Sequence, residues 1–290
     1  MTVNYETLTN RIIAALEQGV SPWAQSWKAT STPFTRPRRA DGTAYRGVNV
    51  LNLYVAKQDR GFKSDFWMTY KKAEELGGQV IKGAKSEKAY YASSFTANRD
   101  TEDERTVPFL KAFAVFNADE IEGLPAHFYG SAAPIVTVPH GERHEAADAF
   151  IAETGADIRH GGDSAHYNRT HDYIQLPAFA DFFSPAAYYS TAFHELAHWS
   201  GSEARLNRTK GKQFGDSAYA FEELVAELSA AYLCADLGLS PEPREDHASY
   251  ISHWIKVLKG DPKAIFRAAS LAEKAVQFLH DIKKAEKIAA

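Results

Sequence analysis

The chain has 290 residues, of which 44% are hydrophobic and 24% are charged, with a formal net charge of -4 at neutral pH. This size allows two domains with separate cores, and the composition excludes a disordered or low-complexity polypeptide. A single cysteine, Cys234, excludes both a disulfide within the chain and a cysteine-based zinc site. The polar N-terminus and the lack of an apolar run of bilayer length predict a cytoplasmic protein without membrane association.

Charge is distributed unevenly along the chain. Residues 1–99 carry 15 Lys and Arg against 8 Asp and Glu, whereas residues 100–290 carry 18 against 29. A basic first part beside an acidic second part predicts that a polyanion meets the first part.

The first domain opens with a predicted helix over 6–18, where aliphatic residues recur at helical spacing. From Ser21 to Asn49, aromatic residues and cations alternate in an irregular stretch. Because aromatic faces stack on unpaired bases and cations follow phosphates, this pattern predicts single-stranded DNA binding, with core packing as the alternative for each aromatic residue. The predicted contacts are Trp27, Arg36, Arg38, Arg39, Tyr45, Arg46, Phe62 and Lys63.

The remaining elements alternate between helix and strand periodicity, with Gly, Pro and Ser clusters between them. In the first part, helices are predicted over 50–60 and 69–76, and strands over 79–81, 88–95 and 107–116, with an acidic loop over 100–104. In the second part, a helix is predicted over 144–154, a strand over 167–176, and two final helices over 245–259 and 262–289. A Pro- and Gly-rich junction near 125–139 predicts a first domain at 1–125, a linker at 126–143 and a second domain at 144–290.

An H-E-x-x-H motif, His194 to His198, lies inside a predicted helix that Ser184-Pro185 caps and Gly201 ends. Two histidines four positions apart share one helical face, so both imidazoles can bind a single Zn²⁺ or another divalent metal. Glu195 then lies where it can act as the catalytic base. The alternative is a helix with two histidines that are merely core or surface residues.

A further helix predicted over 218–237 carries Glu222, Glu223 and Glu227. Glu223 and Glu227 are four positions apart and border an apolar stripe, so we expect their carboxylates to bind a metal ion or a metal-bound histidine. We predict that Glu223 is the third metal ligand and that Glu227 accepts a hydrogen bond from a ligand histidine, and the reverse assignment stays open. Glu222 is predicted to be solvated near the helix N-terminus.

The string from Thr191 to Trp199, with Arg205-Leu206-Asn207 and Glu222 to Leu228, resembles the ArdC family of plasmid antirestriction proteins. The likeness extends to Pro22-Trp23, the segment Tyr45 to Asn49 and the turn over 77–83. It implies an α+β protein of two domains. One is a small mixed α/β module that binds single-stranded DNA, and the other is a mainly helical zincin-like metallopeptidase domain with a short antiparallel sheet whose edge pairs with a peptide. The glutamate pair resembles the gluzincin arrangement, except that position 227 would usually be Asp.

The resemblance implies an antirestriction protein that binds single-stranded DNA, protects incoming plasmid DNA from restriction and carries a zinc metalloprotease-type domain. Alternatively, proteolysis of a DNA-bound host protein is the main activity. A third possibility is a module of a larger primase-like polypeptide. The sequence predicts single-stranded DNA as a partner and a peptide or protein as a possible substrate, and it leaves the oligomeric state open.

Overall fold

The structure is a computed structural model that describes residues 4–23, 34–97, 105–130, 138–208, 217–242 and 247–289. The chain forms two compact units. The first comprises Met1–Thr7 and Pro37–Ala132, and the second comprises Leu8–Arg36 and Ala133–Ala290. The predicted bounds of 1–125, 126–143 and 144–290 stay a prediction. None of the helices over the described ranges is both long enough and apolar enough to cross a bilayer.

The first unit combines two helices with short antiparallel sheets. The elements, in chain order, are α2 (Val48–Arg60), β1 (Trp67–Met68), α3 (Tyr70–Glu75), β2 (Gln79–Val80), β3 (Glu87–Ala97), β4 (Arg105–Asn117) and β5 (Ile121–Glu122). Strand β4 lies between β1 and β3, and β2 pairs with β5.

Helix α2 packs on the sheet and bonds to the edge of β3. Leu53 is fully buried in a cluster with Trp67 and Val115. The Asn49 side chain donates a hydrogen bond to the carbonyl of Tyr90 and accepts one from its amide, at 2.8 and 2.6 Å. The Asn52 side chain likewise donates to the carbonyl of Lys88 at 2.8 Å. Both asparagines are buried, and they satisfy edge-strand groups that β pairing leaves open.

The second unit is mainly helical. It includes α1 (Tyr5–Glu17) from residue Leu8 onward. The remaining elements are α4 (Glu145–Glu153), β6 (Asp157–His160), β7 (His166–Asn168), β8 (Tyr173–Leu176), α5 (Pro185–Ser200), α6 (Ser217–Asp236), α7 (His247–Gly260) and α8 (Ala264–Ala289). Helix α5 packs against α6, which packs against α8. A small sheet has the order β6-β8-β7, with β6 parallel and β7 antiparallel to β8.

The fold class predicted from the sequence is confirmed: two units of α+β structure, the second mainly helical. The helices form within a few residues of their predicted bounds. The strand predicted over 167–176 is instead the hairpin β7–β8, because Asn168 accepts hydrogen bonds from two amides of the turn and Asp172 adopts a left-handed φ of 53°. The acidic loop 100–104 and Trp27 lie outside the described residues.

Candidate metal centre

Helix α5 places His194 and His198 side by side. The Ser184 side chain accepts a hydrogen bond from the amide of Ala187, and Pro185 occupies the first turn, so the helix starts where the sequence predicts. Every residue of α5 from Ala187 to Ser200 is buried. The motif therefore lies in the core of the second unit, where side-chain positions are set by packing on all sides.

Glu223 on α6 completes a cluster of three potential metal ligands with the two histidines of α5. The Nε2 atoms of His194 and His198 lie 3.0 Å apart. One carboxylate oxygen of Glu223 lies 3.3 Å from Nε2 of His194, and the other lies 3.3 Å from Nε2 of His198. Donor atoms about 2.1 Å from a tetrahedral zinc are about 3.4 Å from one another, so the cluster has the dimensions of a metal site.

The electrostatics of the cluster favour a cation. All three side chains are at least nine-tenths buried. Burial opposes ionisation of Glu223, but the two neighbouring imidazoles outweigh it and hold the pKa of Glu223 below its ordinary value. Imidazole nitrogens and a carboxylate that converge in a buried site are the donor set of a divalent metal such as Zn²⁺.

Each histidine has a carboxylate at its other ring nitrogen. Nδ1 of His194 lies 3.2 Å from Glu227, and Nδ1 of His198 lies 3.6 Å from Glu222. Such carboxylates fix the orientation of ligand histidines and increase their basicity. The prediction that Glu222 is solvated is wrong, because Glu222 is 3% exposed and is packed between His198 and Arg208.

Burial opposes ionisation of Glu222, but the adjacent His198 and the hydrogen bonds from Arg208 outweigh it and lower the pKa of this carboxyl. Sequence reasoning did not single out Arg208. The sequence signal for it was weak, since Arg208 is only a cation that follows Gly201, the residue that ends the motif helix, and cations near a helix C-terminus can bond its last carbonyls.

Glu195 and Tyr219 complete the surroundings of the cluster. Glu195, which follows His194 in the sequence, is 2% exposed. Tyr219, one helical turn before Glu223, stacks on Tyr250 with their hydroxyl oxygens 3.4 Å apart. Burial raises the pKa of Tyr219, and the nearby carboxylates of Glu223 and Glu195 act in the same direction. A neutral phenol beside two carboxylates is a hydrogen-bond donor that the sequence did not reveal.

The predicted DNA contacts of the first unit differ in exposure. Arg39, Arg46 and Lys63 are exposed, whereas Arg38 is half-buried and donates a hydrogen bond to the carbonyl of Gly42. Phe62 is half-buried, with its ring edge-on to Trp67 at 5.8 Å. The cations therefore lie at the surface of this unit, and Phe62 has only part of its ring there.

Two predicted DNA contacts are corrected by the structure. Arg36 belongs to the second unit, where its guanidinium pairs with Asp236 at 2.7 Å and with Glu273 at 2.8 Å and is 5% exposed. Tyr45 is 3% exposed, and its hydroxyl donates a hydrogen bond to the carbonyl of Trp67. Neither side chain is placed on a surface that a DNA strand could reach.

An exposed aromatic residue was missed by the sequence reasoning. Tyr91, on β3, is 55% exposed and lies directly opposite Lys111 of β4, which is also exposed. Strand alternation gave no reason to distinguish Tyr91 from the buried Tyr90, because the assignment of faces depends on where α2 packs. The pair offers a stacking surface beside a cation.

Known families match two consecutive parts of the chain. Residues 2–116 match the N-terminal domain of anti-restriction factor ArdC, and residues 145–271 match a zincin-like metallopeptidase. Two crystal structures of the antirestriction protein ArdC from plasmid R388 are similar over nearly the whole chain, both at 40% identity. The metal-free structure superposes with a TM-score of 0.81 over 98% of this chain and 99% of that one, and the Mn(II)-bound structure with 0.78 over 97% and 98%.

Two related proteins each align with 95% of this chain. The uncharacterized protein y4eC of Sinorhizobium fredii (strain NBRC 101917 / NGR234) is 38% identical over 287 residues, which are 95% of this chain and 91% of that protein. A DNA primase TraC of Escherichia coli is 35% identical over 296 residues, which are 95% of this chain and 27% of the primase. The chain therefore corresponds to about a quarter of that primase.

Proposed function

This chain belongs to the ArdC family of antirestriction proteins, and from that membership we propose that it binds single-stranded DNA with its first unit and hydrolyses peptide bonds with the metal centre of its second. Protection of incoming plasmid DNA from restriction is the biological outcome. The observation that carries this proposal is the convergence of His194, His198 and Glu223 in the core of the second unit, with the buried Glu195 on the helix that carries both histidines. A DNA target in a recipient cell makes the cytoplasm its place of action.

His194, His198 and Glu223 hold the metal in this proposal. Zn²⁺ is the metal that zincins are named for, and the Mn(II)-bound structure of a 40% identical relative adds manganese as an alternative. When bound, a divalent metal polarises the scissile carbonyl and makes an attacking water nucleophilic near neutral pH. Glu227 and Glu222 keep the two imidazoles in the tautomer that directs Nε2 to the metal.

Glu195 moves the proton during hydrolysis. Its carboxylate takes a proton from the attacking water as the oxygen–carbon bond forms, and then gives that proton to the amide nitrogen as the carbon–nitrogen bond breaks. This assigns Glu195 no part in holding the metal. A Glu195 variant should therefore lose hydrolysis and keep its metal, whereas a His194 variant should lose both.

Exposed cations of the first unit are proposed to bind the DNA backbone. Arg39, Arg46 and Lys63 supply this charge, with Arg38 and Phe62 partly accessible. Tyr91 and Lys111 add a base-stacking group and a further cation. The name of the related TraC primases fits a protein that acts on plasmid DNA.

In a second candidate function, proteolysis by the second unit is the main activity and DNA binding by the first unit is auxiliary. The two imidazoles, the third ligand and the buried glutamate of the H-E-x-x-H motif give the second unit what a hydrolytic site needs. In this alternative, proteolysis of a DNA-bound host protein is the main activity, and DNA binding only brings the protease to its substrate.

A restriction-protection assay separates these candidates. Plasmid transfer into a restricting host is measured with the wild-type chain, Glu195→Ala and a triple variant in which Arg39, Arg46 and Lys63 become Ala. Glu203→Ala is the matched control, since this carboxylate is exposed and lies outside the metal cluster. Loss of protection with Glu195→Ala shows that proteolysis is needed, and loss with the triple variant alone shows that DNA binding protects.

In vitro measurements test each activity directly. Affinity for oligo(dT), followed by fluorescence anisotropy, should exceed affinity for a duplex of the same length and should fall steeply as salt rises. Zinc content and hydrolysis of fluorescein-labelled casein are compared for the wild type and Glu195→Ala. Hydrolysis that survives in Glu195→Ala would contradict the role proposed for this residue.

A further inference from the structure

Arg208 is buried next to the metal cluster although it lies in a loop. Arg208 lies in the segment that follows α5, and its side chain is 5% exposed. The guanidinium donates to the carbonyl of Ala197, to the hydroxyl of Ser200 at 2.9 Å and to Glu222 at 2.8 Å. A planar group with donors in fixed directions can bond three partners at once only when they are already in place.

One half of these contacts holds the C-terminal end of α5. Ala197 precedes His198, and its carbonyl also accepts a hydrogen bond from Ser200 at 2.6 Å. A cation at this end of a helix is favoured by the helix dipole. Gly201 leaves the space that the guanidinium fills, because a Cβ atom there would lie 2.7 Å from the nearest nitrogen of Arg208.

The other half holds the start of α6. Glu222 accepts hydrogen bonds from two nitrogens of Arg208, Nε and Nη2, on one side and lies 3.6 Å from Nδ1 of His198 on the other. It is also the residue next to Glu223. The guanidinium thus joins a helix that carries two proposed ligands to the helix that carries the third.

We propose that Arg208 is a positioning residue of the metal site, which holds Glu222 against His198 and sets the spacing of α5 and α6 before metal binds. The inference rests on the proposed ligand roles of His198 and Glu223. Without Arg208, no group holds the buried Glu222 carboxylate in place, so Glu222 turns away and His198 loses the neighbouring carboxylate that orients its ring. Loss of such a partner typically weakens metal affinity 10- to 100-fold.

The test measures metal binding and does not require a peptide substrate. Zinc affinity of the full chain is measured by competition with a chromogenic chelator for the wild type, Arg208→Met, Glu222→Gln and the double variant. The visible spectrum of the Co²⁺-loaded protein reports ligand geometry. Arg205→Met is the matched control, because Arg205 lies in the same loop and bonds to the carbonyl of Trp199 and to Asp172 without touching Glu222.

Arg208→Met should weaken zinc affinity about 10- to 100-fold and change the Co²⁺ spectrum, whereas Arg205→Met should leave both unchanged even if it lowers the melting temperature. The double variant should bind no more weakly than Glu222→Gln alone, since Arg208 acts through that carboxylate. Wild-type affinity in Arg208→Met, or losses that simply add, would overturn the proposal.

A second variant keeps the inference testable if Arg208→Met does not fold. Gly201→Ala keeps the guanidinium but displaces it, because the added Cβ takes its space while the backbone φ of -86° suits alanine. It should also weaken zinc affinity, and unchanged affinity would again overturn the proposal. A wild-type chain that binds no zinc or manganese would instead refute the ligand set under the proposed function.

Discussion

Replacing Arg36 with methionine tests whether this residue stabilises the second unit or contacts DNA. The guanidinium pairs with Asp236 and Glu273 and lies over the ring of Tyr232, 4.8 Å from its centroid. Burial disfavours its charge, but the two carboxylates outweigh burial and keep the pKa of Arg36 above its ordinary value. Methionine retains most of the apolar stem and removes the charge, so the variant isolates the ion pairs from the packing.

The expected loss of stability follows from how deeply the three groups are buried. Removing one member of a buried ion pair costs about 3–5 kcal/mol. The side chains of Asp236 and Glu273 are 22% and 17% exposed, so both regain part of their hydration and the cost lies near the lower limit, about 3 kcal/mol. For a unit of this size, such a loss lowers the melting temperature by about 6–12 °C.

Thermal unfolding and DNA affinity are measured on the same preparations. Arg36→Met should melt earlier and bind oligo(dT) with wild-type affinity. Arg39→Met, the control, changes an exposed arginine of the first unit and should keep the melting temperature while weakening DNA binding. An Arg36→Met protein with unchanged melting and weakened DNA binding would restore the sequence-based prediction for this residue and refute the reasoning from burial.

Further expected outcomes concern single side chains. Cys234 should not react with a chromogenic disulfide reagent at pH 8 in the native protein, because it is fully buried and burial raises the pKa of its thiol to about 12; labelling without denaturant would contradict this. Tyr91→Ala should weaken oligo(dT) binding about 5- to 150-fold by anisotropy, the equivalent of one lost base stack, whereas the exposed control Tyr70→Ala should not. Asp148→Asn should lower the melting temperature at pH 7, since hydrogen bonds from Arg143 outweigh burial and lower the pKa of Asp148. A carboxyl whose pKa is lowered by folding stabilises the folded protein at pH values above its unfolded pKa, about 3.9 for Asp. The difference in melting temperature between the wild type and Asp148→Asn should therefore shrink as the pH falls below about 4.

The helices that carry the metal cluster were predictable because their signals are local. Ser184 and Pro185 start α5 through interactions with the next turn, and the i, i+4 spacing of His194 and His198 fixes which face they share. The same spacing applies to Glu223 and Glu227 on α6. What the spacing does not determine is the rotation of α6 about its axis relative to α5, and that rotation decides which glutamate meets which histidine.

The misplaced residues depended on contacts between distant parts of the sequence. Arg36 and Asp236 are 200 positions apart, and no local pattern indicates that the arginine of an otherwise basic stretch has acidic partners in the other half of the chain. Tyr45 is buried because its hydroxyl reaches the carbonyl of Trp67, 22 positions away. A basic and aromatic composition therefore predicts the class of ligand better than it predicts which side chains remain exposed to bind it.

The position of Glu222 shows how a closer physical reading of the sequence could have succeeded. At 100° per residue, Glu223 and Glu227 are about 40° apart around α6, and Glu222 lies about a further 100° from Glu223. A metal held by both histidines leaves two Nδ1 atoms that each need an acceptor, while one glutamate is taken as the ligand. One ligand and two carboxylate acceptors would use three acids, which is the number that these positions of α6 supply. Treating Glu222 as solvated left His198 without a partner, and that unsatisfied buried nitrogen was the sign that the assignment was incomplete.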